Sequence, residues 1–160
     1  SLSLSSDGTR LAVGAQWNDG AGSEVGHVRV FEWSGGWVQM GADIDGEAAY
    51  DRSGSSVSLS SDGTRLAVGA DGNDGAGSKA GHVRVFEWSG GWVQMGADID
   101  GEAAGDLSGG SVSLSSDGTR LAVGADGNDG VGNYAGHVRV FEWSGAVSYT
   151  PLTLPTKRIW

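Results

Sequence analysis

The chain has 160 residues, of which 30 are glycine, and its formal net charge is −10 at pH 7. A hydrophobic share of 38% with 19% charged residues excludes a disordered polyelectrolyte and is compatible with a packed core. The acidic balance argues against nucleic acid as a partner, the lack of cysteine excludes disulfide bonds and thiolate metal sites, and no apolar run is long enough for membrane insertion.

One sequence unit occurs three times along the chain. The segment LSSDGTRLAVGA begins at Leu4, Leu59 and Leu114, which is a period of 55 residues, and GHVRVFEWSG recurs with the same spacing. We therefore expect a first unit at 1–55 that is truncated at its N-terminus, a second at 56–110, a third at 111–145 that lacks its own fourth strand, and a non-repeat tail at 146–160. Because the chain begins inside a unit, we expect it to be a fragment of a longer protein.

Each unit predicts four short strands, described here for the second copy. Val57 and Leu59 alternate with serines in the first strand, SVSLS, which indicates one buried face. SDGT is an Asp-Gly hairpin signal that leads to the second strand, RLAVGA, at 65–70. The third strand, HVRVFEW at 82–88, carries large apolar groups on both faces, and a short SGG turn leads to the fourth, WVQMGAD at 92–98.

The repeated four-stranded unit indicates the fold class. Antiparallel units of this kind that recur every roughly 40–50 residues are typical of β-propeller blades. A blade with two apolar faces must stack on neighbouring blades, because it cannot bury both faces alone. We therefore predict an all-β fragment of a β-propeller, with two nearly complete four-stranded blades and a third partial blade. A stacked β-solenoid is the competing architecture.

The unit GSSVSLSSDGTRLAVGA followed by GHVRVFEW resembles the FG-GAP repeat of integrin α-chain type β-propellers, in versions found in large algal and bacterial surface proteins. The resemblance covers residues 1–145, and LAVGA corresponds to the strand that ends in the GAP element. The Phe of FG is replaced by Ser53 and Ser108, and the Pro of GAP by Gln16, Asp71 and Asp126. The resemblance implies an extracellular or cell-surface repeat module that functions in adhesion.

The tail after Gly145 departs from the repeat. Residues 147–156 read VSYTPLTLPT and resemble VSYTHLTLPT, the translation of a common transposase sequencing adapter. We interpret residues 147–160 as adapter read-through, and a genuine divergent C-terminus is the alternative. Val147 to Thr150 are expected to pair as a substitute fourth strand, because the third unit otherwise has an open edge.

The differences between the copies concentrate in two connections, at 71–81 and 98–111 in the second unit. Turns of an up-and-down blade alternate between its two ends, so both connections are expected on one acidic loop face. Loops on a rigid scaffold commonly bind partners, whereas drift and a solubilising surface are the simpler alternatives. The candidate partner-binding residues are Trp17, Glu24, Tyr50, Arg52, Lys79, Asp106 and Tyr134.

One loop has part of a calcium-binding pattern. DGNDG offers oxygen ligands at alternating positions, at Asp71 and Asn73 and again at Asp126 and Asn128. The next alternate position is Gly75, which has no side-chain oxygen, so an Asx turn is the simpler interpretation. We predict no cofactor, and calcium at these four residues is the one weak metal candidate.

Three histidines, His27, His82 and His137, occupy one repeated position, and we expect a structural role because blade symmetry separates them. No G-x-S-x-G elbow and no glycine-rich phosphate loop before a helix is present. The sequence thus predicts no enzymatic activity. It favours recognition of a protein or glycan through the connections between strands 2 and 3 and between strands 4 and 1. Two alternatives stay open, which are a propeller-scaffold enzyme with its active site in other blades and a structural spacer without ligand.

Overall fold

The computed structural model describes residues 1–145 and 149–152, and these form β-strands without any helix. The first sheet contains β1 (Leu2–Leu4), β2 (Arg10–Ala15), β3 (His27–Trp33), β4 (Trp37–Gln39) and β5 (Ile44–Asp45). The second contains β6 (Ser56–Leu59), β7 (Arg65–Ala70), β8 (His82–Trp88), β9 (Trp92–Gln94) and β10 (Ile99–Asp100). The third contains β11 (Ser108–Leu114), β12 (Arg120–Ala125), β13 (His137–Trp143) and β14 (Tyr149–Pro151). In the described part of the chain, no helix could span a membrane.

Each sheet is an antiparallel meander in which the first four strands pair in chain order, except that β10 and β9 both pair with β8 and β5 pairs with β3 beside β4. The first strands of successive sheets, β1, β6 and β11, lie side by side. The Leu59 N–H donates to Ser3 Oγ at 3.0 Å, and the Leu114 N–H donates to Ser58 Oγ at the same distance. Each serine hydroxyl thus accepts a hydrogen bond from a backbone N–H that would otherwise be unpaired at the edge of a sheet. The arrangement confirms the predicted all-β class and the β-propeller fragment.

The fourth strand is divided, which corrects the prediction of one strand over 92–98. β9 ends at Gln94 and β10 resumes at Ile99, and both pair with β8. Gly96 between them has a φ of +70°, which interrupts the extended backbone. Gln94 Nε2 donates to Asp98 Oδ1 at 2.7 Å and closes the interruption. The same division separates β4 from β5 in the first sheet.

The SSDGT turn is held by its aspartate in every unit. In the third unit, Asp117 Oδ1 accepts hydrogen bonds from the Thr119 N–H at 3.0 Å, from Thr119 Oγ1 at 2.7 Å and from Ser115 Oγ at 2.8 Å. These bonds lower the pKa of Asp117 to about 2, and the bond from the Thr119 N–H has the largest effect on that pKa. Asp7 and Asp62 make equivalent bonds. The hairpin predicted from Asp-Gly therefore also depends on the residue after the glycine.

The hydrophobic core lies between sheets rather than within one. One cluster joins Val28 and Val30 of the first sheet to Leu66 of the second. A second cluster joins Val85 of the second sheet to Leu121 of the third. The second sheet is thus covered on both faces, and its stability depends on its neighbours.

Tryptophan pairs extend these interfaces at the outer strands. Trp88 and Trp92 pack edge to face with ring centroids 5.3 Å apart, and Trp92 Nε1 donates to the Met40 carbonyl of the first sheet at 3.0 Å. In the third sheet, Tyr149 takes the place of the second tryptophan, and its ring centroid lies 5.3 Å from that of Trp143. The expected substitute fourth strand is therefore present as β14.

The adapter interpretation of residues 147–160 applies mostly outside the described residues, which exclude 146–148 and 153–160. The third sheet also begins at Ser108, ahead of the unit boundary that we expected at residue 111. Its extra residues include a register shift between Ser108 and Ser111, at the point where the connecting segment joins the strand.

Backbone contacts between glycines bring adjacent sheets together. A Cβ atom at Gly69 would lie 2.0 Å from the Gly109 carbonyl oxygen, and one at Gly14 would lie 2.2 Å from that of Gly54. Gly54 and Gly109 have φ angles of +87° and +91°, which favour glycine. Any side chain at these four positions would force the sheets apart.

We expect Gly69→Ala to lower the free energy of unfolding by about 2–3 kcal/mol, because the added methyl group overlaps backbone of the next unit. Gly91→Ala is the matched control, since nothing lies within 4 Å of a Cβ there, and its effect should stay within about 0.5 kcal/mol. Urea unfolding followed by tryptophan fluorescence measures both. Equal losses for the two variants would refute the close contact.

We expect Trp92→Phe to lower the free energy of unfolding by about 1 kcal/mol more than Trp37→Phe. Both changes shorten an outer-strand tryptophan, but only Trp92 donates its indole N–H across a sheet interface among the described residues. The same urea titration compares them. An equal cost for both variants would show that the hydrogen bond to Met40 contributes nothing.

Candidate functional site

The two long connections of each unit meet on one side of the sheets. The Tyr50 N–H donates to the Ser23 carbonyl at 2.8 Å, and the Arg52 N–H donates to that of Glu24 at 3.0 Å. In the second unit, the Leu107 N–H donates to the Lys79 carbonyl at 3.1 Å. We call this surface the loop face, defined as residues 16–26, 46–55, 71–81, 101–107 and 126–136.

All non-glycine residues with a left-handed backbone in the described part of the chain lie on the loop face. They are Glu24, Tyr50, Arg52, Lys79, Leu107 and Tyr134, with φ angles from +48° to +67°. Such a conformation costs an L-residue about 1–2 kcal/mol. Most of these positions differ in residue type between units, so the fold fixes the backbone while the side chain varies. Sequence reasoning did not select Leu107, whose left-handed backbone the sequence does not signal.

The same hydrogen bond from an aspartate side chain accompanies one left-handed residue in each unit. Asp19 Oδ1 accepts the Glu24 N–H at 2.7 Å, and Asp74 Oδ1 accepts the Lys79 N–H at 2.7 Å. Asp129 accepts the Tyr134 N–H in the same way. The aspartate of the repeated NDG sequence therefore positions the residue that varies most between the copies.

The first loop carries an aromatic side chain beside a charged pair. Trp17 is 58% exposed, and the Arg52 guanidinium lies 4.8 Å from the centre of its ring. Arg52 Nε also lies 3.4 Å from Glu24 Oε2. Contacts between a cation and an exposed ring contribute about 0.5–1 kcal/mol, enough to orient the indole. The structure thus brings three predicted partner-binding residues together.

The other predicted partner-binding residues divide into two kinds. Tyr50, Lys79 and Tyr134 are exposed on the loop face. Asp106, in contrast, is 2% exposed, and its carboxylate accepts hydrogen bonds from the Ala103 N–H at 3.0 Å and from Asn128 Nδ2 at 3.1 Å. The structure therefore corrects the position of Asp106, which supports the loop from beneath because its oxygens hold backbone and amide donors.

The weak calcium candidates are placed in turns. Asn73 Oδ1 accepts the Gly75 N–H at 2.8 Å, and Asn128 Oδ1 accepts that of Gly130 at 3.0 Å, which are Asx turns. Burial raises the pKa of Asp71, and the nearby Arg52 charge opposes this effect. Within the described ranges, neither Asp71 nor Asp126 joins a group of three acidic or histidine side chains. The asparagine oxygens are therefore already used by the loop.

The repeated histidines lie closer to carboxylates than the sequence suggested. Three groups have candidate ligand atoms within 4.8 Å of one another: His27 with Asp43 and Asp45, His82 with Glu47 and Asp98, and His137 with Glu102 and Asp106. The expected separation of the histidines holds, but each group takes its acids from the outer-strand region or from the preceding connection. These acids were the signal that sequence reasoning passed over.

His82 has the most enclosed of these sites. Its side chain is buried, Nδ1 lies 3.8 Å from Asp98 Oδ2, and Nε2 has no hydrogen-bond partner among the described residues. Burial lowers the pKa of His82, against the opposing Asp98 charge, and this favours the neutral ring that binds metals. However, Arg84 Nη1 lies 3.7 Å from Glu47 Oε1 and already balances that carboxylate. Arg84 therefore competes with any divalent ion for Glu47.

Comparison with known proteins supports the repeat assignment. Residues 43–86, which run from the end of the first unit into β8, match the family model described as the FG-GAP repeat. No curated protein sequence matches the chain. The family match therefore covers a central segment that contains Gly54 and Gly69, one glycine from each of the two contacts between sheets.

Solved structures show the fold. The chain is similar to Kuenenia stuttgartiensis hydrazine synthase at 14% identity and a TM-score of 0.59, covering 94% of this chain and 34% of that one. It is similar to BF1038 of Bacteroides fragilis NCTC 9343, a candidate 6-phosphogluconolactonase, at 18% identity and a TM-score of 0.61, covering 95% and 37%. It is also similar to KlAtg21 in complex with the coiled-coil of AgAtg16, at 15% identity and a TM-score of 0.62, covering 92% of this chain and 41% of that one.

The chain thus spans less than half the length of each of these structures, and identities this low show the fold alone. The neighbours have β-propeller-like folds and include proteins of different functions. Residues 43–86 thus match the FG-GAP repeat, and the described chain has the fold of part of a β-propeller.

Proposed function

We propose that this part of a β-propeller is a non-catalytic recognition module, extracellular or on the cell surface, whose loop face binds a protein or a glycan. The observation that carries the proposal is the variation of side chains on a fixed loop backbone. Glu24, Lys79 and Tyr134 occupy one repeat position with φ angles of +48°, +50° and +51°. A scaffold that keeps the backbone and varies the side chain is the usual arrangement of a binding surface.

The chemistry of the loop face supports the same proposal. Trp17, Tyr50 and Tyr134 expose aromatic rings there, and such rings supply contact area with few rotatable bonds. Arg52 beside Trp17 adds a charged group that can pair with a partner carboxylate or a sugar hydroxyl. Binding energy at interfaces concentrates in tryptophan, tyrosine and arginine. The location and the adhesion role rest on the resemblance to repeats of surface proteins.

The strand framework carries little of this variation. RLAVGA and HVRVFEW are identical in all three units, and the first serine hydroxyl of each SSDGT turn donates a hydrogen bond to the turn aspartate. These turns lie at the opposite end of the sheets from the loop face. A partner that distinguishes one unit from another therefore finds most of the differences on the loop face.

The first experiment is a screen of the full chain against glycan and protein arrays, with calcium and with a chelator. We expect at least one reproducible ligand. A ligand retained with chelator would show that recognition does not require calcium. A complete absence of binding under both conditions would contradict the proposal and favour a structural spacer.

We expect Trp17→Ala to weaken binding of that ligand at least tenfold, because interface tryptophans often carry a large share of the binding energy. The matched control is Trp33→Ala, which removes a ring of similar exposure (53% against 58%) at the opposite end of the sheet. The control should change the Kd less than twofold in a titration by biolayer interferometry. Equal effects of the two variants would place the ligand elsewhere.

A further inference from the structure

A groove of about 500 Å³ lies where the third sheet meets the loop face. Gly124 and Ala125 of β12 form one side, and Gly136 with Val138 forms the other. We call it the Gly124 groove. Leu107 of the loop face also lines it. It nevertheless goes beyond the recognition surface proposed above, because Gly124, Ala125, Gly136 and Val138 have the same residue types in every unit.

The corresponding grooves of the first two units are filled by the chain itself. In the first, Ser53 and Gly54 of the connecting segment lie against Gly14, Gly26 and Val28. A Cβ atom at Gly26 would lie 2.3 Å from the Ser53 carbonyl oxygen, and Gly26 and Ser53 form a parallel bridge.

The second unit repeats this arrangement. Ser108 and Gly109 fill the groove beside Gly69 and Gly81, and a Cβ atom at Gly81 would lie 2.2 Å from the Ser108 carbonyl oxygen. Gly81 and Ser108 form the same parallel bridge as in the first unit. Two occupied grooves therefore show which segment this site accepts and in which orientation.

The third groove has the same walls without that segment. Val28 and Val83 are 0% exposed beneath the connecting segments, whereas Val138, their equivalent, is 49% exposed. A Cβ atom at Gly136 would have its nearest atom at 3.5 Å. One at Gly124 would meet the Ser111 hydroxyl, as one at Gly69 would meet the equivalent Ser56 hydroxyl, but it would meet no backbone atom closer than 3.7 Å. The space that the connecting segment fills elsewhere is thus open among the described residues.

Backbone acceptors in the third groove match the donors of the connecting segment. The Val25 carbonyl accepts the Ser53 N–H at 2.9 Å, and the Ala80 carbonyl accepts the Ser108 N–H at 2.9 Å. In the part of the chain that the structure describes, no backbone N–H donates to the equivalent carbonyl of Ala135. A peptide backbone can supply this donor and an apolar ligand cannot, so the groove favours a peptide.

We propose that the Gly124 groove binds the connecting segment of a further repeat unit, a stretch with the sequence Asp-x-Ser-Gly whose backbone is left-handed at the variable residue and at the glycine. The glycine fits because the backbones approach within contact distance, and its left-handed φ is open to glycine at little cost. The serine fits because Ser53 and Ser108 are fully enclosed and adjoin the glycines at 46 and 101 of their own segments. The aspartate holds the segment in shape, as Asp51 does through the Ala48 N–H at 3.0 Å.

The test uses a fluorescent peptide with the sequence of residues 101–111, GEAAGDLSGGS, added to the full chain. We expect saturable binding in fluorescence anisotropy and slower amide hydrogen exchange at residues 134–138. A control peptide with the substitution Gly109→Val should bind at least tenfold more weakly. This follows because the added side chain would overlap the groove backbone as it would in the second unit.

Variants of the chain identify the groove. Gly124→Val should weaken peptide binding at least tenfold, whereas Gly91→Val, in open space at the opposite end, should leave it within twofold. Val138→Asp is the second variant, because this half-exposed position tolerates a polar residue in the folded chain. It should also weaken binding, and circular dichroism confirms that each variant is folded.

Three outcomes would overturn the proposal. They are the absence of saturable binding up to about 1 mM peptide, equal binding of the control peptide, and protection from exchange only outside the groove. Self-association of the chain that the peptide does not reduce would assign the groove to a second copy and would also overturn it. None of these outcomes affects the recognition proposal, whose variant Trp17→Ala lies on another unit.

Discussion

Close contact between glycine backbones is the constraint on which the rest of this structure depends. Gly54 approaches Gly14 of the preceding sheet so closely that a Cβ atom on Gly14 would lie 2.2 Å from its oxygen, and its N–H donates to the Gly69 carbonyl of the following sheet at 2.9 Å. One residue therefore joins two sheets. The approach lets the apolar faces of the sheets meet, and the buried valines and leucines between them supply most of the stability because apolar burial dominates folding. The loop face follows from the same contact, since the connecting segment that reaches the next sheet crosses it.

Much of the fold was predictable because its signals are local. Alternation placed the strand that contains Val57, and Asp-Gly placed the hairpins. The break in the fourth strand was not predictable, because it depends on the φ angle of Gly96 and on a side-chain bond from Gln94. The importance of the glycines in the FG and GAP positions was also hidden. Their role is a contact between units, whereas sequence comparison drew attention to the missing Phe and Pro, whose places are taken by small or polar residues without loss of the glycine contact.

The candidate site was predictable as a surface and not as a set of side chains. Differences between copies located the loop face, and Trp17 was found because it breaks the repeat. Burial separated Asp106 from that surface, and burial depends on how the connecting segment packs under Asn128 of the next unit. The acids around His82 come from a different unit and from the outer strand, so no local pattern announces them. Sequence reasoning thus performed well where one strand or loop decides the outcome and poorly where two units meet.

Each described junction between successive sheets uses the same few backbone groups, so these contacts do not depend on the number of units. If a whole 55-residue unit were inserted or removed, each remaining junction would still pair a glycine-bearing strand with a glycine-bearing connector. The loops can therefore differ from unit to unit without a change in the contacts between the sheets.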